Sequence, residues 1–315
     1  MEQSQIFKRN VLRNIKLHDL VEIEAPEAVF EEVAIILKLI SPDFDVKPVR
    51  SAFRMVLRVF LGNHPLYRAC TTYYHDLRHT TDAFLAMARL CHGAVLCGES
   101  FPERTIVVGL VAALFHDTGY IQNKDDTEGT GAKYTLYHVH RSMEFMKRHG
   151  AEHGLIAKEL ADGGAMILCT DIKKDMPHSA FSSPLVALFG RLLNAADLMG
   201  QMAERVYLEK LLFLYHEYKE GHVGDYDSEV DLIRKTPAFM DYIKQRLLPV
   251  SDQVNRFMTA HFESRWSIAA NLYQEAIQRH KDYLEKILSI PDADPRKYLN
   301  RYGLVRKVRA IYGPG

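Results

Sequence analysis

Apolar positions along this chain recur every three to four residues far more often than every two. The segment AVFEEVAIILKLI (28–40) puts Val29, Val33, Ile36 and Leu37 along one side of a 3.6-residue helix. RSAFRMVLRVFLG (50–62) repeats the pattern and predicts a helix end at Gly62. HTTDAFLAMARLCHGAVL (79–96) continues it, and RVYLEKLLFLYHEYKEG (205–221) predicts a long amphipathic helix stopping at Gly221. WSIAANLYQEAIQRHKDYLEKIL (266–288) reads as one further helix. TIVVGLVAALF (105–115) begins with β-branched residues and would suit a buried strand. Its length favours a helix that is apolar on all sides, hence central, with Gly119 as its stop. Strand-like alternation is scarce, and no Gly-rich phosphate loop follows a strand pattern. Loops are expected at 122–133, 171–184 and 220–227. The expectation is one all-α domain over residues 1–315: a helical lead-in over 1–50, a core over 51–290 and a basic tail over 291–315.

Composition narrows the function classes. The chain has 315 residues, 47% of them hydrophobic and 25% charged, which is ordinary for a globular protein with an ample core. Lys+Arg and Asp+Glu number 40 each, so no bulk field draws it to nucleic acid or to a membrane surface, and neither is expected as a partner. The local basic stretch from Arg296 to Arg309, with Arg301, Arg306 and Lys307, reads as the solvated face of a terminal helix. Cys70, Cys91, Cys97 and Cys169 form no CxxC pair, which excludes a zinc ribbon or thioredoxin-like motif and fits reduced, buried thiols. The first twenty residues lack the apolar run of a signal peptide. The run at 105–115 is shorter than the roughly 20 residues a bilayer requires. A cytoplasmic location is expected.

The chemistry concentrates in three places. In YYHDLRH (73–79), His75 and His79 are four apart and would share a helix face, with Asp82 placed to orient a ring. Taken alone the pair is weak evidence, because exposed or satisfied core histidines are commoner than ligands. In LFHDTGY (114–120), His116 and Asp117 close the most apolar run. Ionisable side chains are rarely buried without a partner or a metal, and an imidazole beside a carboxylate suits a divalent cation. The competing reading is an Asp capping the next turn. In NAADLMGQMA (194–203), Asp197 lies among Ala, Leu and Met, so it either bonds a helix terminus or ligates an ion.

Taken in order, these elements resemble the HD-domain metal-dependent phosphohydrolases. YHDLRHTTDA is similar to the YHNxxHAxDV opening of class I cyclic nucleotide phosphodiesterases, and LFHDTGY to the His-Asp element that names the superfamily. MILCTDI (166–172) resembles their ILATDM, and NAADL their CADL. The resemblance spans about residues 70–205. It implies an HD/phosphodiesterase-like helical bundle. It also implies a metal site of His79, His116, Asp117 and Asp197, with Asp117 bridging to a second ion, and divalent ions drawn from Zn, Mn, Fe or Mg. His75 would protonate the leaving oxygen, and a metal-activated hydroxide would cleave a small phosphoester or nucleotide. His140 and Asp171 are further candidates near the site.

The chain departs from the phosphodiesterase pattern. Thr118-Gly119-Tyr120 replaces Asp-His-Pro-Gly, and His138-Val139-His140 stands where an adjacent His pair is expected. No purine-clamping glutamine stands out among Gln201, Gln245 and Gln253. His149 and His153, in HVHRSMEFMKRHGAEH, read as solvated histidines of an amphipathic helix, and His140 is the member of that cluster favoured for function. A triphosphate hydrolase would need basic residues aimed at phosphates, for which Arg78, Lys124, Lys133 and Arg141 are candidates. The alternative to an enzyme is a nucleotide-binding sensor of the same fold without turnover.

Overall fold

The computed structural model describes residues 15–172 and 181–313. Residues 173–180 of the expected 171–184 loop, and the stretch read for a signal peptide up to residue 14, lie outside the described residues. Among the described residues the chain forms eleven α-helices with short 3₁₀ turns; the only strand-like feature is an isolated bridge between Tyr67 and Asn123. The all-α expectation holds. The helices are α1 (Pro26–Ile40), α2 (Lys47–Phe60), α3 (Leu77–Leu96), α4 (Glu103–Phe115), α5 (His138–His149), α6 (Ala157–Leu168), α7 (Pro184–Ala203), α8 (Tyr207–Glu220), α9 (Glu229–Trp266), α10 (Leu272–Leu288) and α11 (Leu304–Tyr312). No helix among them is long and apolar enough to cross a membrane.

Side-chain caps set several of the starts. The carboxylate of Asp76 accepts from the His79 amide, Ser183 accepts from Val186, Ser228 from Asp231, and Asn271 from Gln274. Each satisfies an amide that the first helical turn leaves without a partner. The Asn271 cap corrects the expected 266–288 helix. Trp266 closes α9, Ser267 turns left-handed at φ 58°, and α10 starts afresh at Leu272.

α3 is the hub. It is buried from His79 to Ala94 and packs against α1, α4, α7 and α9. Its contact with α9 is so close that a Cβ on Gly93 would lie 1.8 Å from the Phe257 carbonyl oxygen. α4 is buried from Ile106 to Phe115, matching its all-apolar sequence. The lead-in region is itself core, since Val29, Phe30, Val33 and Ile36 of α1 join the main hydrophobic cluster, and the boundary drawn at residue 51 falls within α2. A second cluster gathers Tyr74, Leu208, Leu211, Leu212 and Ile233. α7 spans both: Ala195, Ala196 and Met199 belong to the first cluster, Leu198 and Met202 to the second. Asp197 therefore lies at the seam between the two.

Gly119 does not stop α4. The helix ends at Phe115, and Gly119 lies in a 3₁₀ turn (Thr118–Tyr120) where a Cβ would meet the His138 carbonyl oxygen at 1.9 Å. Its missing side chain lets α5 approach the end of α4.

The basic C-terminal stretch differs from expectation in part. Arg306 and Lys307 are exposed, but Arg296 and Arg309 are anchored because a buried carboxylate attracts them. Glu229, 2% exposed, accepts from Arg296 (3.0 Å), Arg309 (2.9 Å) and His216 (3.0 Å), and Tyr312 stacks on His216 with ring centroids 3.8 Å apart. Burial acts to raise the Glu229 carboxyl, but hydrogen bonds from His216, Arg309 and Arg296 outweigh it and bring it down to about 2. Its folded value thus lies below the ordinary 4.5. The stability it contributes is present above that ordinary value and disappears as pH falls toward about 2. Glu229→Gln should be less stable than the parent near neutrality, and the gap should close between those two pH values. Denaturant midpoints measured across that range check this; a gap independent of pH would refute it.

Candidate metal centre

Three helices deliver four ligand-type side chains to one point at the seam. His79 comes from the first turn of α3, His116 and Asp117 from the end of α4, and Asp197 from the middle of α7. His79 Nε2 lies 3.2 Å from Asp117 Oδ2, 3.1 Å from Asp197 Oδ1 and 3.2 Å from His116 Nε2. His116 Nε2 lies 3.5 Å from each of the same two carboxylate oxygens. All four side chains are buried.

The local chain explains this convergence. The end of a helix leaves its last carbonyls without amide partners. The Thr118 hydroxyl takes Phe115 O at 2.8 Å, and His116 Nδ1 takes Ala113 O at 2.8 Å. That second bond requires a proton on Nδ1, so Nε2 carries the lone pair and faces the other three groups.

The set fits a cation. Asp117 Oδ2 is buried with no hydrogen-bond partner among the described residues, a costly state for a carboxylate oxygen unless positive charge faces it. His79, His116 and Asp117 could hold a metal ion, and the distances above bring Asp197 to the same point. Charge runs the same way among the side chains themselves. Burial favours neutral His79, but Asp117 and Asp197 overcome it and hold the imidazole well above its ordinary range. Burial would raise Asp117, yet His116 and His79 hold it well below the usual carboxylate range.

His75 reaches the site by a different route from the one its spacing suggested. The Asp76 cap starts α3 at Leu77, so His75 lies before the helix and shares no helical face with His79. The two rings nevertheless lie 5.9 Å apart. His75 Nδ1 is 2.7 Å from Glu217 Oε2 on α8, while Glu217 Oε1 accepts from the Tyr73 and Tyr74 amides at 2.7 and 2.6 Å. Tyr120 is sandwiched between the His75 and His138 rings, with centroids 4.4 Å from each.

Asp82 does not orient His79. His79 Nδ1 has no hydrogen-bond partner among the described residues, and Asp82 belongs to a charge network with Arg78, Glu204 and Lys210. Burial and the Glu204 charge push the Asp82 carboxyl up to about 7, with Arg78 and Lys210 opposing.

His138, not His140, faces the centre, its Nε2 3.8 Å from Asp117 Oδ1. Two residues apart on a helix point about 200° away from each other, so His140 lines a separate groove with Tyr67 and Arg148. His149 and His153 are buried rather than solvated: His149 Nε2 meets the Tyr67 hydroxyl at 2.7 Å, and His153 Nδ1 meets the Ser51 hydroxyl at 2.8 Å.

Asp171 lines the cavity that opens over His75, His79, Asp117 and Asp197, and so does Gln201. Gln201 is held by the Tyr74 hydroxyl at 2.8 Å and by Asp197 at 3.4 Å. Gln245 and Gln253 are on α9 and do not line it, and neither do Arg78, Lys124, Lys133 or Arg141. Tyr218, Phe239, Ile172 and Val223 give the cavity an apolar side away from the ligands. Glu217 and Tyr120 escaped the sequence reading, and His138 was named there only within the histidine cluster in which His140 was favoured. Glu217 carried a usable signal: it falls three residues after Leu214 and four after Phe213, on a buried face of α8.

Fold and site together define an all-α protein with a candidate His/Asp metal-binding centre. The chain belongs to the Npun_R2479-like family, whose model matches residues 123–281, just over half of its length. That span includes His138, Asp197 and Glu217 and begins just after His116 and Asp117. No curated protein matches the chain.

Proposed function

We propose that this protein is a metal-dependent phosphohydrolase that cleaves a phosphoester of a nucleotide or similar small molecule. The observation that carries the reading is the meeting of two buried imidazoles and two buried carboxylates at the floor of a cavity, with a carboxylate-held histidine on its wall. The resemblance of the four sequence elements to HD-domain phosphohydrolases supports it.

His79, His116, Asp117 and Asp197 would hold a divalent cation; two imidazoles with two carboxylates suit Zn, Mn or Fe better than Mg. Such an ion supplies a Lewis acid for a phosphoryl oxygen and a water acidified toward neutral pH. Asp117 keeps its second oxygen toward His138, which makes it the residue to reach a second cation. His75 works on the leaving group. Glu217 accepts at Nδ1 and fixes the ring, which leaves Nε2 to give a proton to the departing oxygen. Tyr120, wedged against the other ring face, limits the tilt of His75. The apolar side of the cavity suits a flat or greasy leaving group.

The test is metal analysis of protein purified without a metal-affinity tag, followed by turnover of cyclic and linear nucleotides and a nitrophenyl phosphodiester with Mn, Zn or Mg. At least one ion per chain and hydrolysis of one ester are expected. A protein that binds nucleotides and turns over none would make it a sensor, and a protein that takes up no metal would sink the hydrolase reading.

A further inference from the structure

A further groove, lined in part by α2, shares no residue with the cavity over the metal centre. One wall is α2. Lys47, Arg50, Arg54 and Arg58 line the groove together, and at 100° per residue their positions fall within an arc of about 80°. Arg50, Arg54 and Arg58 follow one another at intervals of about 6 Å along the axis, from a rise of 1.5 Å per residue. The opposite wall is the turn Gly150–His153.

These cations are not neutralised. None of the four makes an ion pair among the described residues, although the chain as a whole carries equal numbers of acidic and basic residues. The Arg50 guanidinium rests 4.4 Å above the Phe30 ring centroid, which steers it without cancelling its charge. Glu152 also lines the groove, but its carboxylate is turned to His149 Nδ1 at 2.7 Å. Like charges stacked at i, i+4 on a helix repel and destabilise it. A chain with ample acidic residues leaves this stripe unpaired at a cost that an anionic ligand would remove.

The groove also holds an oriented hydroxyl. Ser51 lies between Arg50 and Arg54, 2.8 Å from Nδ1 of His153, which is 4% exposed. His153 Nε2 makes no hydrogen bond, so the neutral ring can carry its proton on Nδ1 and donate it to Ser51. The hydroxyl hydrogen is then free to turn into the groove as a donor.

We propose that this groove is a second ligand site, for a small anion with two or more linked phosphate groups. Guanidinium forks grip phosphate oxygens in pairs, and a row of them gives each phosphate of a chain its own fork. A single phosphate would engage only part of the row. The turn at 150–153 closes one side, which favours a small linear ligand over a nucleic-acid backbone. The proposal does not depend on the phosphohydrolase reading.

The test is calorimetric titration of the full chain with tripolyphosphate, a nucleoside triphosphate, orthophosphate and a single-stranded oligonucleotide. Excess chelator throughout keeps phosphate from being captured through a metal at the other site. Tripolyphosphate should bind saturably and at least tenfold more tightly than orthophosphate. A nucleoside triphosphate that matches it shows that the phosphate chain alone is recognised, and one that exceeds it shows that the natural ligand carries a base. The R54Q/R58Q double variant should weaken binding at least tenfold with unchanged helicity, since both side chains are exposed. Absent saturable binding, equal affinity for one and three phosphates, or unaltered affinity in the double variant would each overturn the proposal. An oligonucleotide that binds more tightly than tripolyphosphate would overturn the small-ligand assignment.

Discussion

Asp117→Asn should strip the protein of metal and of activity in one step. Asparagine keeps the volume of the side chain, so packing at the end of α4 is little disturbed. What changes is the charge that faces His79 and His116, whose Nε2 atoms lie 3.2 and 3.5 Å from Asp117 Oδ2. A hydrogen-bonding partner behind a metal ligand is typically worth about 10–100-fold in affinity or activity, and removal of a direct ligand should exceed that. Two measurements read the effect. Metal content per chain should fall to background in the variant. Heat denaturation should also show a metal-dependent rise for the parent, about 2.7 kcal/mol at a hundredfold excess over the dissociation constant, and none for the variant. A quartet that served only as a buried hydrogen-bonded cluster would behave differently: Asp117→Asn would change stability in metal-free buffer and leave no metal-dependent difference between the proteins. Wild-type metal content in the variant would end the assignment.

His75→Asn is expected to separate chemistry from metal binding. His75 is held by Glu217 and stacked on Tyr120, and its ring is 5.9 Å from that of His79, so the quartet stays intact without it. Metal content should therefore be close to the parent's, while turnover of an ester with a poor leaving group should fall by roughly 10²–10⁴, the usual worth of a general acid. The defect should shrink with a nitrophenyl ester, whose leaving group departs with little help from a proton. Glu217→Gln should act in the same direction and less severely, because the glutamine amide still reaches Nδ1 but no longer imposes the same tautomer. A His75→Asn defect of equal size for good and poor leaving groups would remove the proton-donor role. Joint loss of metal would make His75 a ligand instead.

The outcome for individual elements shows what local sequence could reveal. α4 was legible as a central helix because the run from Ile106 to Phe115 leaves no polar face for water. α9 was not, because Pro237 and Pro249 break the pattern that a single-sequence reading relies on, and each removes a backbone donor. The helix persists through them because Phe257, Met258 and Phe262 are fully buried in the main core, where the α3 backbone approaches Phe257. The reversal at Ser267 was hidden for a related reason: the apolar spacing of 266–288 continues across it, and only the left-handed residue and the Asn271 cap mark the break.

The sequence by itself determined the all-α class, and it marked His116, Asp117 and Asp197 as titratable groups in apolar neighbourhoods, which must find a partner wherever the chain folds; their grouping with His79 came from the resemblance to HD-domain phosphohydrolases. Only the tertiary structure decided what surrounds them. Glu217 meets His75 across 142 residues, and no periodicity links positions that far apart. The choice of His138 over His140 depended on which face of α5 turns toward Asp117, and that was set by the close approach of Gly119 to the His138 backbone. Local patterns fix which side chains must be buried. Which of them meet is fixed by how whole helices pack, and that depends on contacts between residues remote from each other in the chain.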